Sequence, residues 1–296
     1  MQVRYRVVDV FTQTPLEGNA LAVFPDPRGL SNETMQRIAR ELNLSETTFV
    51  FPAATPGAAA HVRIFTPAYE MKFAGHPTIG TAYVLLDEGI VAAGTWRFAL
   101  QENVGLVPVR IDDGHPPMIW LETPPIAKGR TFDRVLCARA LGLSPEDLIA
   151  DAPCRLLSAG NPAVFIPLRD AAAVDRSRID THALRELLAS EPEPTCIFAF
   201  APVPSGAYTR MFAEDFGIAE DPATGSGTGP LAAFMMDCGF VSKAGGTRFV
   251  SEQGTKMGRR SFLHVLVRGE AGSDAIEVGG HVVPIAEAAM TLSDSA

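Results

Sequence analysis

The sequence is poor in cysteine and lysine and has no run of basic residues. Its four cysteines, Cys137, Cys154, Cys196 and Cys238, are widely spaced and form no CxxC pair. That spacing disfavours both a disulfide scaffold and a cysteine-rich zinc site, and reduced thiols in a cytosolic chain are the plain reading. Lysine occurs only at Lys72, Lys128, Lys243 and Lys256, and no GxxxxGK[ST] stretch is present. A nucleoside triphosphate site therefore has no support. With 34 acidic against 25 basic residues the formal charge is -9, and an acidic chain without a basic stripe is a poor match for a phosphate backbone. Nucleic acid is set aside as a partner. Long apolar runs are missing too. Mean hydropathy is slightly positive at +0.12, yet no run approaches the roughly 18 residues of a membrane-spanning helix. The N-terminal segment carries Arg4 and Arg6 and no continuous apolar core before Asp9. It reads as a strand and hairpin rather than a signal peptide. The expectation is a cytoplasmic protein with no membrane partner.

What is present is a globular composition. The 296 residues are 47% hydrophobic and 20% charged, enough for one large domain or two modest ones with a sizeable core. The 26 glycines and 23 prolines punctuate the chain into many turns. Short β-rich runs fall at 3–11, 20–24, 47–51, 61–65, 95–100, 104–111 and 118–121. A second series follows at 155–157, 163–168, 196–201, 208–212, 247–251, 262–267 and 275–278. Helices interrupt them. Ser31 caps one with an apolar stripe of Met35, Ile38, Ala39 and Leu42. Others are expected at 131–141, stopped by Gly142, in a turn opened by Ser144-Pro145-Glu146, and at 181–188.

Two further helices, 78–86 and 228–236, are apolar nearly all round, which requires burial on every side. Each follows a Gly/Pro-rich loop, 73–77 and 221–227. At an offset of 150 positions Gly75 matches Gly225, His76 matches Ser226, Thr78 matches Thr228 and Ala82 matches Ala232. Upstream, Arg63-Ile64-Phe65 and Arg210-Met211-Phe212 share a strand pattern three residues out of register with that offset. The pattern implies an internal duplication: an α+β chain of two similar halves, each of antiparallel strands wrapped barrel-like around a central buried helix. The first half covers 1–118, completed by a C-terminal strand within 281–296, and the second covers 119–280.

A glycine-rich loop entering a helix offers free backbone N–H groups and the positive end of the helix dipole, a ready anion site. If the halves face each other, two such loops would suit a small carboxylate. Beside them stand three ionisable residues: His76 in the first loop, Asp221 at the head of the second, and Glu46 after the capped helix. Carboxylates and an imidazole around an anion are the equipment for moving a proton. Each also has a plain structural reading, as a solvated turn, a backbone cap or a hydrogen-bonded loop residue.

The motifs GNALAVF (18–24), ELNLSETTFV (41–50), RIFTP (63–67), FAGHPTIGTA (73–82), SAGNP (158–162) and EDPATGSGTGPLAAF (220–234) span most of the chain. Together they resemble the PhzF family of phenazine-biosynthesis isomerases, within the diaminopimelate-epimerase-like fold. The resemblance implies two barrel-like halves with an active site between them. It also implies isomerisation of a small cyclic amino acid by proton transfer between ring carbons, without metal or organic cofactor. Glu46 matches the glutamate of SETTF, the family's proposed general acid/base. His76 and Asp221 match residues taken to support binding and proton transfer. Gly75, Gly225 and Ser226 match positions that contact substrate, and Asn19 and Asn161 match positions near the cleft. A homodimer is implied as well.

Diaminopimelate epimerases and proline racemases resemble this fold but use a cysteine at each loop. The matching positions here are Ala74 and Thr224, which disfavours a two-thiol mechanism. A single carboxylate suits a proton shift on one face, and it must be protonated for half of the cycle, a state that partial burial favours. Two alternatives stay open: an epimerase or racemase of an amino-acid-like substrate, with Asp221 or His76 as second acid/base, and a non-catalytic small-anion-binding protein. Glu214 and Asp215 depart from the expected pattern, and they would repel an acidic substrate if they faced the cleft rather than forming a solvated turn.

Overall fold

The computed structural model describes residues 1–269 and 275–292; residues 293–296 of the expected C-terminal segment lie outside the described residues. The chain divides into two compact units, one of Met1–Glu122 with Gly279–Ala296 and one of Thr123–Val278. The first contains β1 (Gln2–Val10), β2 (Asn19–Phe24), α1 (Asn32–Leu42), β3 (Glu46–Phe51), β4 (Ala58–Phe65) and β5 (Glu70–Met71). Then come α2 (Gly75–Asp87), β6 (Arg97–Glu102), β7 (Gly105–Asp112) and β8 (Met118–Glu122). The second contains β9 (Ala127–Phe132), α3 (Arg134–Ala140), β10 (Cys154–Ser158), β11 (Pro162–Pro167), α4 (Ala171–Arg176) and α5 (Thr181–Leu188). It continues with β12 (Cys196–Val203), β13 (Gly206–Ala213), β14 (Ile218–Asp221), α6 (Gly225–Asp237), β15 (Arg248–Gln253) and β16 (Ser261–Val267). The last strands are β17 (Ile276–Gly280) and β18 (Val282–Thr291).

Each unit repeats one pairing plan. In the first, β1 lies antiparallel to β18 and β2, β2 runs parallel to β3, and β3 pairs antiparallel with β4. β4 then pairs antiparallel with β5 and parallel with β6, and β6 antiparallel with β7. In the second, β10 lies antiparallel to β9 and β11, β11 runs parallel to β12, and β12 pairs antiparallel with β13. β13 pairs antiparallel with β14 and parallel with β15, and β15 antiparallel with β16. The parallel steps β2–β3 and β11–β12 are bridged by helices, α1 in one unit and α4 with α5 in the other, as a parallel crossover needs.

The same brace guides the chain toward each buried helix. Arg63 grips Glu70 with two hydrogen bonds of 2.8 and 2.6 Å and lies 5.1 Å from the Phe65 ring centroid. Arg210 grips Glu220 at 2.8 and 2.7 Å and lies 4.8 Å from that of Phe212. Such a bidentate, half-buried fork fixes geometry better than a surface pair would.

Helices α2 and α6 are buried along almost their whole length; in α6 every residue except Asp237 is buried. Glycine lets them approach their strands. A Cβ on Gly80 would come within 2.6 Å of Leu21 and 2.8 Å of Val10, and one on Gly227 within 2.8 Å of the Phe198 ring. Around α6 the core includes Phe165, Phe198, Phe200 and Met211. A second cluster lies under α3, α4 and α5, and in the first unit α1 packs Met35, Ile38 and Ala39 against Phe24, Phe49 and Phe65. Among the described residues no helix is long and apolar enough to cross a membrane.

Three boundaries correct the sequence expectation. Both buried helices start three residues early, at Gly75 and Gly225. His76 and Ser226 therefore sit in the first helical turn rather than in a loop. Pro77 is accepted there because a third-position N–H has no helical partner to lose. The helix expected from 131 begins at Arg134, because Thr131 and Phe132 end β9 and the Asp133 side chain caps from Leu136 N–H. Strands β5, β9 and β14 and helix α4 had no separate sequence signal, being short or highly exposed.

Candidate active site

The local sequence brings three candidate side chains together beside the start of α2. Asn19 begins β2 after Gly18, whose φ of +69° is left-handed and where a Cβ would strike the Val10 carbonyl oxygen. The preceding turn is held by the Asp9 carboxylate, which accepts from the Leu16 N–H at 2.7 Å. Glu46 begins β3, in parallel register with Leu21, after Asn43 closes α1 in a left-handed cap bonded to Ala39. His76 lies on the first turn of α2. The three are buried, at 1% exposure for Asn19, 8% for Glu46 and 3% for His76.

They meet in one contact set. Asn19 Nδ2 is 3.2 Å from His76 Nδ1, and His76 Nε2 is 3.3 Å from Glu46 Oε2. Burial pushes the His76 pKa down to about 3, so the imidazole is neutral and its approach to Glu46 is not an ion pair. An amide donating into Nδ1 leaves the ring proton on Nε2, facing the carboxylate. The arrangement is a buried carboxylate next to a neutral hydrogen-bond donor.

In the second unit, Asp221 ends β14 and is 6% exposed. Its Oδ2 accepts from Thr224 Oγ1 at 2.6 Å. Gln253, at the end of β15, donates from Nε2 to the Asp221 carbonyl at 2.7 Å and to Thr224 Oγ1 at 2.9 Å, and its Oε1 accepts from the Thr224 N–H at 3.2 Å. Gly225 and Ser226 open α6 immediately beyond. Asn161 precedes β11 after the left-handed Gly160, as Asn19 follows Gly18. Glu214 and Asp215 form an exposed 3-10 turn lining a surface depression with α5, so they are solvated.

The two helix starts share a further property. Helices α1, α3, α4 and α5 each have a side-chain N-cap, from Ser31, Asp133, Asp170 and Asp180. Helices α2 and α6 have no side-chain cap hydrogen bond. Their leading N–H groups and dipole ends are thus available to an anion. Gln253 lies outside every sequence motif, and Thr224 stands inside 220–234 only as a position without a cysteine, so their bond had no motif to mark it. Their signal is positional: Gln253 closes the strand after α6 as Glu102 closes the strand after α2. Among the described residues no cluster of three or more His, Cys, Asp or Glu is placed to hold a metal.

Comparison with known proteins gives one answer. Residues 8–288 match the family model PhzC-PhzF, described as phenazine biosynthesis-like protein. The chain is 37% identical to an uncharacterized isomerase of Mesorhizobium japonicum, across 97% of this chain and 98% of that protein. It is 36% identical to the trans-2,3-dihydro-3-hydroxyanthranilate isomerase of Pseudomonas aeruginosa, across 96% and 98%. A crystal structure of a PhzF-family phenazine biosynthesis protein of Bacillus anthracis aligns at TM-score 0.87 and 25% identity, covering 99% of this chain and all of that one. A probable proline racemase of Agrobacterium radiobacter aligns at TM-score 0.69 and 16% identity, over 98% and 93%, a likeness of fold alone.

Proposed function

The chain belongs to the phenazine biosynthesis-like protein family, and from that premise we propose that it is an isomerase whose own side chains move a proton on a small cyclic carboxylate or amino-acid-like substrate. No metal or organic cofactor takes part in this reading. Glu46 takes the proton from one ring carbon and returns it to another on the same face. His76 orients Glu46 through its Nε2–H, and Asp221 supports binding and transfer. Asn19, Gly75, Asn161, Gly225 and Ser226 bind the substrate, with the uncapped N–H groups holding its carboxylate and stabilising developing charge. The observation that carries the reading is the buried contact between Glu46 and a neutral His76 at an uncapped helix start. A general acid/base needs this combination of low exposure and fixed orientation.

The reading includes a barrel-like wrap of strands around α2 and around α6, supported by the burial of both helices and the repeated pairing plan. It includes a homodimer in a biosynthetic role, which rests on the family resemblance, and a cytoplasmic location, which rests on the sequence reading. The test is incubation with trans-2,3-dihydro-3-hydroxyanthranilate, the substrate named for the Pseudomonas relative, in D2O. A shifted double bond with solvent deuterium on a ring carbon is expected. Deuterium at Cα with loss of optical purity would turn the reading to an epimerase. Binding without any exchange would turn it to a non-catalytic anion-binding protein.

A further inference from the structure

A buried carboxyl that the proposed reaction does not use lies next to the first turn of α2. Glu102 ends β6 and is 3% exposed. Its Oε1 is 2.6 Å from Thr78 Oγ1, and the same hydroxyl is 2.8 Å from the carbonyl oxygen of Ala74. A threonine hydroxyl has one proton to give. In the second unit the matching Thr228 hydroxyl gives its proton to the Thr224 carbonyl, and the same assignment here sends the Thr78 proton to the Ala74 carbonyl and leaves the Thr78 oxygen to accept. The contact with Glu102 is then a hydrogen bond only if the carboxyl carries the proton and donates it to Thr78. Glu102 Oε2 has no hydrogen-bond partner, which would cost an ionised carboxylate far more than a neutral acid.

The second unit places an uncharged side chain at the equivalent strand end, where it bonds to the N-cap residue of the buried helix. β15 stands to α6 as β6 stands to α2, following the buried helix and pairing parallel with the second strand before it. Its last residue is Gln253, whose amide donates to the hydroxyl of Thr224 at the start of α6. Thr228 also matches Thr78, each hydroxyl donating to the carbonyl of its helix's N-cap residue.

We propose that Glu102 is a protonated, neutral hydrogen-bond donor that locks the 74–78 turn through Thr78 and thereby acts as the positioning residue for His76 against Glu46. The lock stands on geometry alone, and its effect on turnover rests on the function proposed above. Burial acts in the same direction, raising the Glu102 pKa to about 8. Lys72 near the following turn, His76, Tyr83 and Asp87 on α2, His61 and Arg63 on β4, Arg97 on β6, and Arg110 and Asp112 on β7 are the titratable groups on these elements. None of them enters as an electrostatic cause of that rise, which is desolvation by burial.

The test compares the wild-type chain with Glu102→Gln, which keeps a neutral donor, and Glu102→Met, which removes it at similar size. The wild type should show a protonated-carboxyl infrared band at neutral pH that Glu102→Gln lacks. From the ordinary value of 4.5 up to about 8 the unfolded carboxyl has lost its proton while the folded one keeps it. Stability conferred by the folded state therefore falls with rising pH across that window. Glu102→Gln should gain thermal stability relative to wild type across the same window and match it below. The ring-nitrogen NMR signals of His76 should move in Glu102→Met and return in Glu102→Gln. With a substrate that is turned over, kcat should fall about 10–100-fold in Glu102→Met and recover in Glu102→Gln. Absence of the infrared band overturns the neutral donor, and unmoved His76 signals in Glu102→Met overturn the positioning role. If the wild type leaves trans-2,3-dihydro-3-hydroxyanthranilate untouched while band and NMR shifts hold, the lock stands and the substrate falls.

Discussion

At the start of α2 a carboxylate and an imidazole touch, whereas at the start of α6 the matching positions hold Cys196 and Ser226. The match follows from register: Glu46 pairs beside Leu21, two residues after Asn19, and Cys196 beside Ala163, two residues after Asn161. The scaffolds agree closely. Both have a left-handed glycine followed by asparagine, an Arg–Glu brace, and an uncapped buried helix. The polar side chains differ in what they bind. Around α6, Asp221, Thr224 and Gln253 bond to one another, while around α2 Glu46 and His76 approach to 3.3 Å. The two units keep one frame around the helix start and differ in the polar side chains set on it. On the proposed reading, anion holding and proton transfer are separable properties of the same helix start.

The sharpest way to break the comparison is to remove the group that only one unit has. Glu46→Gln keeps the shape and loses the base, so kcat should fall by roughly 10²–10⁴-fold while product binding, measured by titration calorimetry, stays nearly intact. Full activity in that variant would remove Glu46 from the mechanism. His76→Asn tests the partner. The folded imidazole titrates near 3 against an ordinary 6.5. Between those values the unfolded chain binds the extra proton, so wild-type stability should drop as pH falls through the window. Thermal melts of His76→Asn should show a flatter acid limb, and an unchanged limb would mean that the imidazole is not buried neutral. Asp221→Asn sharpens the other side. Its carboxamide oxygen can still accept from Thr224, so the Tm should hold while kcat/KM falls roughly 10–100-fold, the scale of one charged hydrogen bond. If the Tm drops and kcat/KM does not, Asp221 is part of the frame alone.

Much of this contrast was legible in the chain. The 150-residue offset located both buried helices, because a helix without a polar face leaves a plain apolar record, and the motifs located Glu46, His76 and Asp221. Helix starts were less legible: Gly75-His76-Pro77 reads as loop by composition, and only packing against β1 and β2 draws it into the helix. The joints at Thr224–Gln253 and Thr78–Glu102 were not legible either. They link residues 29 and 24 positions apart, and no local pattern marks a side chain that reaches across a sheet to a helix end. The state of Glu102 was hidden for the same reason, since a glutamate on an alternating strand reads as solvent-facing until its burial is known.

The smallest expected effects concern the caps, and they test whether the open helix start is kept for a ligand. Ser31 has extended backbone at φ -77° and ψ 162° and accepts from Thr34 N–H, and Ser31→Ala should cost about 1 kcal/mol. Ala74 holds a comparable extended conformation, φ -152° and ψ 137°, at the head of α2 without any side-chain cap. With Pro77 at the third helical position lacking an N–H, a hydroxyl placed at residue 74 can reach only the His76 N–H. Ala74→Ser should therefore add up to about 1 kcal/mol in a denaturant titration, while lowering kcat/KM, because the added oxygen occupies a donor assigned to the substrate carboxylate. A stabilised variant with undiminished kcat/KM would show that the N–H groups at the start of α2 take no part in binding. The proposed anion site would then rest on α6 alone.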